Sequence, residues 1–191
     1  MTRIAVVLAP VDTDELRLAM LEDVVDLVEA MREVDGALAV PAGADDRVRA
    51  VTWPGMPVVD VPVGGSLCAV IDAVAALGAD EVCVVCPDAP DLPALLLGKL
   101  HSGLTSAEVA VCPADDARLV ALACRLPAPE WLRAAGVGLD GTDVVRRLRA
   151  AAPSRGLHVG PGWHRIRDAA DAERLDPGLE GWEATRAVLG R

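Results

Sequence analysis

The chain has very few aromatic residues. Its 191 residues include no Phe and no Tyr, and four Trp make up the 2% aromatic content. Because 52% of the residues are hydrophobic all the same, the core must be built mainly from Ala, Val and Leu. Proteins that stack the bases of a nucleic acid commonly use Phe or Tyr for it. The sequence therefore predicts that the protein does not bind a nucleic acid.

Lysine is nearly missing as well. Lys99 is the one lysine among 18 basic residues, and 29 acidic residues give a formal net charge of −11. A chain of this charge repels polyanions on average. A small anionic ligand is still compatible with it if a divalent cation or a helix N-terminus supplies a local positive field.

Long hydrophobic runs are also missing. The N-terminal segment MTRIAVVLAP holds one short apolar run, well below the ~18 residues of a membrane span, and has no signal-peptide cleavage region. We expect a cytoplasmic protein with no membrane partner, and the apolar composition leaves room for a homodimer. The five cysteines stand in apolar surroundings, which predicts buried, reduced thiols.

Short apolar runs alternate with longer amphipathic segments along the chain. This pattern predicts an α/β fold, a mostly parallel mixed sheet with helices on both faces. We expect strands at Arg3–Leu8, Ala37–Val40, Met56–Val61, Glu81–Val85, Glu108–Cys112, Arg118–Cys124 and Leu157–Val159. We expect helices over 16–31, 66–78, 92–100, 130–135, 142–151, 168–175 and 179–189. The whole chain, 1–191, is predicted to be one domain in which residues 127–191 close over the sheet edge.

Asp88 is the first candidate functional residue. It follows the run Glu81–Val85, which is apolar without alternation after Glu81 and therefore typical of a central strand. Open α/β sheets bind ligands beyond the carboxyl ends of such strands, and a carboxylate there can hold Mg²⁺ or Mn²⁺ against phosphate oxygens. The alternative is that the acidic side chains of this turn only cap the next helix, with Asp91 capping a helix that begins at Leu92.

The stretch Gly64-Gly65-Ser66 precedes a predicted helix. Its backbone N–H groups could face the phosphates of a nucleotide, although a plain tight turn with a Ser cap explains it equally well. The turn with Asp116 and Arg118 is a second candidate for contact with a ligand, and a solvated hairpin turn is its ordinary explanation.

Arg165 and Arg167 alternate with Ile166. In an extended segment this alternation puts both guanidinium groups on one face. They could bind an anionic ligand together, or they could pair with nearby acids such as Asp168 and Asp171. Cys83 and Cys86 have Cys-x-x-Cys spacing, but along a strand residues three apart point to opposite faces, which argues against shared zinc or a redox pair.

The strand and turn around Asp88, Val-Val-Cys-Pro-Asp-Ala-Pro-Asp-Leu-Pro, resemble the strand followed by Asp-x-Pro-x-Leu in GT-A-like nucleotidyltransferases. Relatives include the molybdenum cofactor guanylyltransferases, 2-phospho-lactate guanylyltransferase and a bacterial glycosyltransferase-like family. The helix after Ser66, the turn at Asp116 and the stretch Trp163–Leu175 follow in that family's order. The resemblance implies a Rossmann-like GT-A fold, and a role for Asp88 in binding metal and nucleotide diphosphate.

The sequence also departs from that family's pattern. The residues after the first strand, 8–14, carry no basic side chain, whereas the relatives have a basic residue there. The relatives' second metal-binding carboxylate aligns with Arg167. Two functions therefore stay open: a divergent nucleotidyl- or glycosyltransferase-like protein, with Asp88 and Arg167 at its nucleotide site, or a catalytically silent homologue that acts as a binding or assembly protein.

Overall fold

The computed structural model describes residues 1–64 and 66–190. Its strands form one seven-stranded sheet in the order β3-β2-β1-β4-β6-β5-β7. They are β1 (Arg3–Leu8), β2 (Asp35–Pro41), β3 (Val58–Val61), β4 (Glu81–Val85), β5 (Val109–Pro113), β6 (Leu119–Arg125) and β7 (Leu157–Val159). Pairing is parallel everywhere except at β6, which runs antiparallel to β4 and β5. The predicted α/β class with a mostly parallel mixed sheet is confirmed.

The described residues form seven α-helices, of which six lie between strands and α7 follows the last strand. They are α1 (Glu15–Glu29), α2 (Arg47–Ala50), α3 (Leu67–Ala75), α4 (Ala94–Gly103), α5 (Glu130–Ala135), α6 (Val144–Ala151) and α7 (Glu183–Val188). A 3₁₀ helix covers Ala169–Arg174. Every residue of β4 is buried, and because neighbouring residues of a strand face opposite ways, both faces of the sheet are covered there. Among the described residues, no helix has the length and apolarity needed to cross a membrane.

The chain order of the strands reverses next to β1. After β1 the chain adds β2 and β3 on one side, and it then returns to place β4 on the other side. Such a reversal leaves a crevice beyond the carboxyl ends of the two central strands. The loops after β1 and β4 therefore face the same crevice, and Asp88 lies in the second of these loops.

Several predicted boundaries moved by a few residues. The helix expected from Leu92 begins at Ala94, with Pro93 before its first residue, because a residue that precedes proline is driven away from helical geometry. The interpretation of Asp91 as the cap of that helix is wrong. Its buried carboxylate instead accepts hydrogen bonds from the side chains of Trp163 and His164 and from the backbone N–H of Asp176.

The C-terminal part of the chain crosses the carboxyl edge of the sheet. We call residues 160–168 the closing segment. Its backbone follows β5 at first, with N–H groups of Gly160 and Trp163 donating to Val111 and Pro113, and it then reaches β4, where Ile166 donates to the carbonyl oxygen of Asp88 at 2.7 Å. The closing segment therefore lies over the carboxyl ends of β5 and β4 and the amino end of β6 between them.

A second, smaller core holds the end of the chain against α1. It is formed by Met20, Ile166, Ala172, Leu175 and Trp182. Beside it, the buried carboxylate of Asp23 on α1 accepts the backbone N–H groups of Ala184 and Thr185, at 2.9 and 2.8 Å. Burial raises the pKa of Asp23 to about 6, despite these hydrogen bonds. All five cysteines are free and buried, as expected.

Candidate functional site

A pocket of about 740 Å³ opens at the crevice where the strand order reverses. It is lined by the loops after β1, β3 and β4, by Arg118 just before β6, by parts of α1, α3 and α6, by the loop between α5 and α6, and by the closing segment. Ligand pockets for small molecules commonly enclose about 300 to 1,000 Å³. The pocket thus has the position and the size expected of a small-molecule site in an open α/β sheet.

The charge of the pocket differs in sign from that of the whole chain. Among the described residues, five arginines and three aspartates line it, although the chain as a whole carries −11. The arginines are Arg17, Arg118, Arg147, Arg165 and Arg167, and the aspartates are Asp12, Asp88 and Asp140. Arginine suits a phosphate because its planar guanidinium donates two parallel hydrogen bonds. The pocket therefore favours a small anion.

Asp88 lies at the floor of this pocket and is paired with Arg165. Its Oδ1 accepts from Nε at 2.6 Å and its Oδ2 accepts from Nη2 at 2.9 Å. Only 4% of the Arg165 side chain and 16% of the Asp88 side chain are exposed. The sequence analysis placed Arg167 with Asp88 at the nucleotide site, but the guanidinium that contacts this carboxylate belongs to Arg165.

Arg165 uses its remaining donors on the protein as well. Its Nη1 donates to the carbonyl oxygens of Leu119 and Leu139 and lies 2.8 Å from Oδ1 of Asp140. Burial on its own lowers the pKa of Arg165, but neighbouring acidic groups, Asp88 and Asp140 among them, raise it overall. The guanidinium is therefore charged, and it ties β4, β6 and the α5–α6 loop together.

Backbone contacts of the closing segment fix the position of Arg165. Ile166 is bonded through its N–H to Asp88, and Ala114 and Trp163 form a parallel bridge. At Gly162 a β-carbon would lie 2.9 Å from the carbonyl oxygen of Pro113. Glycine is required there because the two backbones pass so close to each other.

Arg167 lines the same pocket but does not contact Asp88. Its Nε lies 3.2 Å from Oδ2 of Asp171, and 59% of its side chain is exposed. The backbone N–H and the side chain of Arg167 lower the pKa of Asp171. Of the two alternatives that the sequence left open, pairing with a nearby acid is the one that applies to Arg167. Its guanidinium is still exposed to the pocket.

The structure places the other predicted residues in different ways. Gly64 lines the pocket with a positive φ of 64°, and Gly65 lies outside the described residues. Ser66 precedes α3 as its N-cap residue, its side chain forms no capping hydrogen bond, and it is not among the described residues that line the pocket. Arg118 lines the pocket, whereas Asp116 supports it from behind: Nε of Arg118 donates to Asp116 at 2.7 Å, which lowers the pKa of that carboxyl.

Arg17 and Arg147 line the pocket and were missed by the sequence analysis. Arg17 lies in the first turn of α1, and within the described residues its guanidinium has no hydrogen bond or ion pair. Arg147 on α6 donates to the carbonyl oxygen of Ala135 at 2.7 Å and is otherwise exposed. Arg17 was missed because the search for a basic residue stopped at residue 14. Its place at the start of the helix after β1 was the signal.

The residues around Asp88 do not fit a divalent cation as they are arranged. Mg²⁺ and Mn²⁺ need oxygen atoms with free lone pairs, and both oxygens of Asp88 are held by Arg165. Within residues 1–64 and 66–190, no three His, Cys, Asp or Glu side chains come together as a metal-binding group.

Comparison with known proteins identifies the fold. No family model and no curated protein matches the chain at a significant level. A protein from Desulfovibrio desulfuricans, assigned as a nucleotide-diphospho-sugar transferase, superposes with a TM-score of 0.71 at 15% identity, over 98% of this chain and 95% of its own. CMP:2-keto-3-deoxy-manno-octonic acid synthetase complexed with CTP gives 0.65 at 12% identity, over 92% and 97%.

A third similar structure is the manganese complex of Rv0371c from Mycobacterium tuberculosis. It gives a TM-score of 0.60 at 19% identity, over 94% of this chain and 100% of the other. Identities this low establish the fold alone. The chain therefore has the GT-A-like fold of the nucleotide-diphospho-sugar transferases, as the strand and turn at Asp88 indicated.

Proposed function

We propose that the chain binds a nucleotide or a nucleotide-sugar in the pocket at the strand reversal, as a divergent nucleotidyl- or glycosyltransferase-like protein. The observation that carries this proposal is the concentration of five arginines around one pocket of a strongly acidic chain. A phosphorylated ligand is the small molecule that this charge and this fold favour together.

The lining residues suggest a division of roles. Arg17, Arg147 and Arg167 would contact the phosphates, because their side chains are exposed in the pocket. The exposed apolar side chains of Val11 and Val63 line it as well, and they offer a surface for a base or a sugar face. Any transfer would then proceed by electrostatic stabilisation of a phosphate leaving group, with no covalent enzyme intermediate.

Calorimetry with GTP, CTP, UDP-glucose and GDP-mannose tests the proposal, with Arg17→Ala as the first variant. A charge-assisted hydrogen bond to phosphate contributes about 1.5 to 3 kcal/mol, so we expect Kd to rise about tenfold or more. Arg32→Ala is the matched control, because Arg32 is also exposed but lies beyond the other end of α1, outside the pocket. Equal affinities for the two variants would contradict the role of Arg17.

A catalytically silent homologue is the second candidate, and the pairing of Asp88 with Arg165 favours it. A carboxylate with both oxygens held by a buried guanidinium is not free to act on a ligand. The same calorimetry separates the two candidates. If none of the four nucleotides binds, either with or without added Mg²⁺ or Mn²⁺, the first proposal is refuted and the silent homologue is left.

A further inference from the structure

The positive group beside the carboxylate of Asp88 is the guanidinium of Arg165. The floor of the pocket joins residues that are 77 positions apart in the sequence, Asp88 and Arg165, by two short hydrogen bonds. We infer that Arg165 takes the place of a divalent cation at Asp88, so that the pocket binds its phosphorylated ligand without a metal ion. This inference rests on the proposed function, since it concerns the same pocket.

Asp88 and Arg165 form a bidentate ion pair. Nε and Nη2 of Arg165 face Oδ1 and Oδ2 of Asp88 at 2.6 and 2.9 Å. This bidentate arrangement uses one lone pair on each oxygen of Asp88 and holds the guanidinium at the face where a bidentate cation would bind. A divalent cation on either oxygen would also lie within a few ångströms of a fixed positive charge.

Arg165 is not free to move aside. Its Nη1 donates to the carbonyl oxygens of Leu119 and Leu139 and contacts Asp140. If the side chain swung out to admit a cation, the carbonyl oxygen of Leu119 would lose this donor and that of Leu139 would keep only the backbone N–H of Leu119. The loss of hydrogen bonds by buried polar groups is unfavourable. In its present position the Arg165 side chain is only 4% exposed, so water does not compete for these contacts.

The ion pair sets the charge that remains for the ligand. Arg165 neutralises Asp88, so the pocket floor no longer repels a phosphate. The exposed arginines Arg17, Arg147 and Arg167 can then meet a free nucleotide anion directly. In this arrangement a metal ion would add a positive charge where a guanidinium already supplies one.

A titration of the ligand-free protein with Mn²⁺, followed by electron paramagnetic resonance, tests the role of Arg165. We expect the wild type to leave the signal of free Mn²⁺ unchanged. Arg165→Gln releases Asp88 and Asp140, and we expect it to bind Mn²⁺ at least about tenfold more tightly than the wild type does. Adding Asp88→Asn should abolish that gain.

Arg17→Gln is the matched control, because it removes one positive charge from the pocket without releasing a carboxylate. A gain as large as that of Arg165→Gln would overturn the inference, since it would reflect net charge alone. Binding of Mn²⁺ by the wild type that is lost in Asp88→Asn would also overturn it, and so would a folded Arg165→Gln that gains none. If Arg165→Gln fails to fold by circular dichroism, the comparison of wild type with Asp88→Asn decides.

Nucleotide calorimetry in EDTA and in MgCl₂ completes the test. We expect the two Kd values to agree within about threefold. Binding that requires the metal and is lost in Asp88→Asn would overturn the inference and leave the proposed function standing. Absence of binding under both conditions would refute the proposed function, and the Mn²⁺ titration would still decide the role of Arg165.

Discussion

Asp88→Asn is the substitution that examines the pocket floor most directly. It keeps the size of the side chain but removes the negative charge and replaces one acceptor oxygen by an NH₂ donor. That NH₂ group would face a guanidinium nitrogen of Arg165, which in the wild type donates to an oxygen of Asp88 at 2.6 or 2.9 Å. The variant therefore leaves a buried positive charge without its full partner.

The size of the effect follows from burial. Arg165 is 4% exposed, and breaking a buried ion pair by removing one partner costs about 3 to 5 kcal/mol. Asn retains one acceptor, and Asp140 still contacts Nη1, so we expect the free energy of unfolding to fall by about 3 kcal/mol. Small domains have a total of about 5 to 15 kcal/mol, so this loss is easily measured.

Asp72→Asn is the matched control. Asp72 forms the same kind of bidentate pair with Arg133, at 2.8 and 2.6 Å, but its side chain is 52% exposed and that of Arg133 is 41% exposed. Exposed ion pairs contribute about 0 to 1 kcal/mol, because solvent screens them. Both variants remove the charge of a bidentate carboxylate, which is bound through Nε and Nη2 at Asp88 and through Nη1 and Nη2 at Asp72. The large difference between the two pairs is their burial.

The assay is equilibrium unfolding in urea, followed by circular dichroism for wild type and both variants at neutral pH. The reasoning is refuted if Asp88→Asn loses no more stability than Asp72→Asn. A gain in stability would be stronger evidence against it, because carboxylates kept unpaired for a ligand commonly cost the protein stability. In that case Arg165 would be a poor partner for Asp88 in solution, and the carboxylate would be available to a cation.

Two further predictions concern other parts of the structure. The pKa of Asp23 is raised from 3.8 to about 6, so the folded state binds this proton more tightly and loses stability as pH rises through 6. We therefore expect the unfolding free energy of Asp23→Asn minus that of the wild type to grow by about 2 kcal/mol between about pH 4.5 and pH 7.5. A constant difference would contradict this. Gly162→Ala should cost about 1 to 3 kcal/mol through its contact with Pro113. At Gly98 in α4 an added β-carbon meets nothing within 4 Å, so Gly98→Ala should instead stabilise the protein by up to about 1 kcal/mol. If thermal unfolding shows Gly162→Ala to be as stable as Gly98→Ala, the close approach at Gly162 is contradicted.

The sheet was largely predictable because its signals are local. The run Glu81–Val85 is apolar without alternation after Glu81, and the strand has those bounds. Caps and boundaries were less predictable because they depend on neighbours in space. Asp91 is a residue type that is common at N-caps, but its buried carboxylate accepts hydrogen bonds from Trp163 and His164 instead. These two residues are over 70 positions away in the sequence.

The pairing of Asp88 could not be predicted for a similar reason. The alternation of Arg165, Ile166 and Arg167 puts both guanidinium groups on one face only while the segment stays extended. The extended segment ends at Asp168, whose carboxylate caps the following 3₁₀ helix, and Arg167 turns to Asp171. Which arginine reaches Asp88 is then decided by where the closing segment crosses the sheet, and that is tertiary information.

Net charge describes what a large partner meets, and the pocket describes what a small ligand meets. At physiological ionic strength charges more than ~8 Å apart are largely screened, so a ligand inside the pocket responds to Arg17, Arg147 and Arg167 much more than to the distant acids of a chain carrying −11. A polyanion spread over the surface meets those acids as well. The same composition can therefore disfavour nucleic acid and still admit a phosphorylated small molecule, because the fold gathers arginines from α1, α6 and the closing segment at the carboxyl ends of the strands.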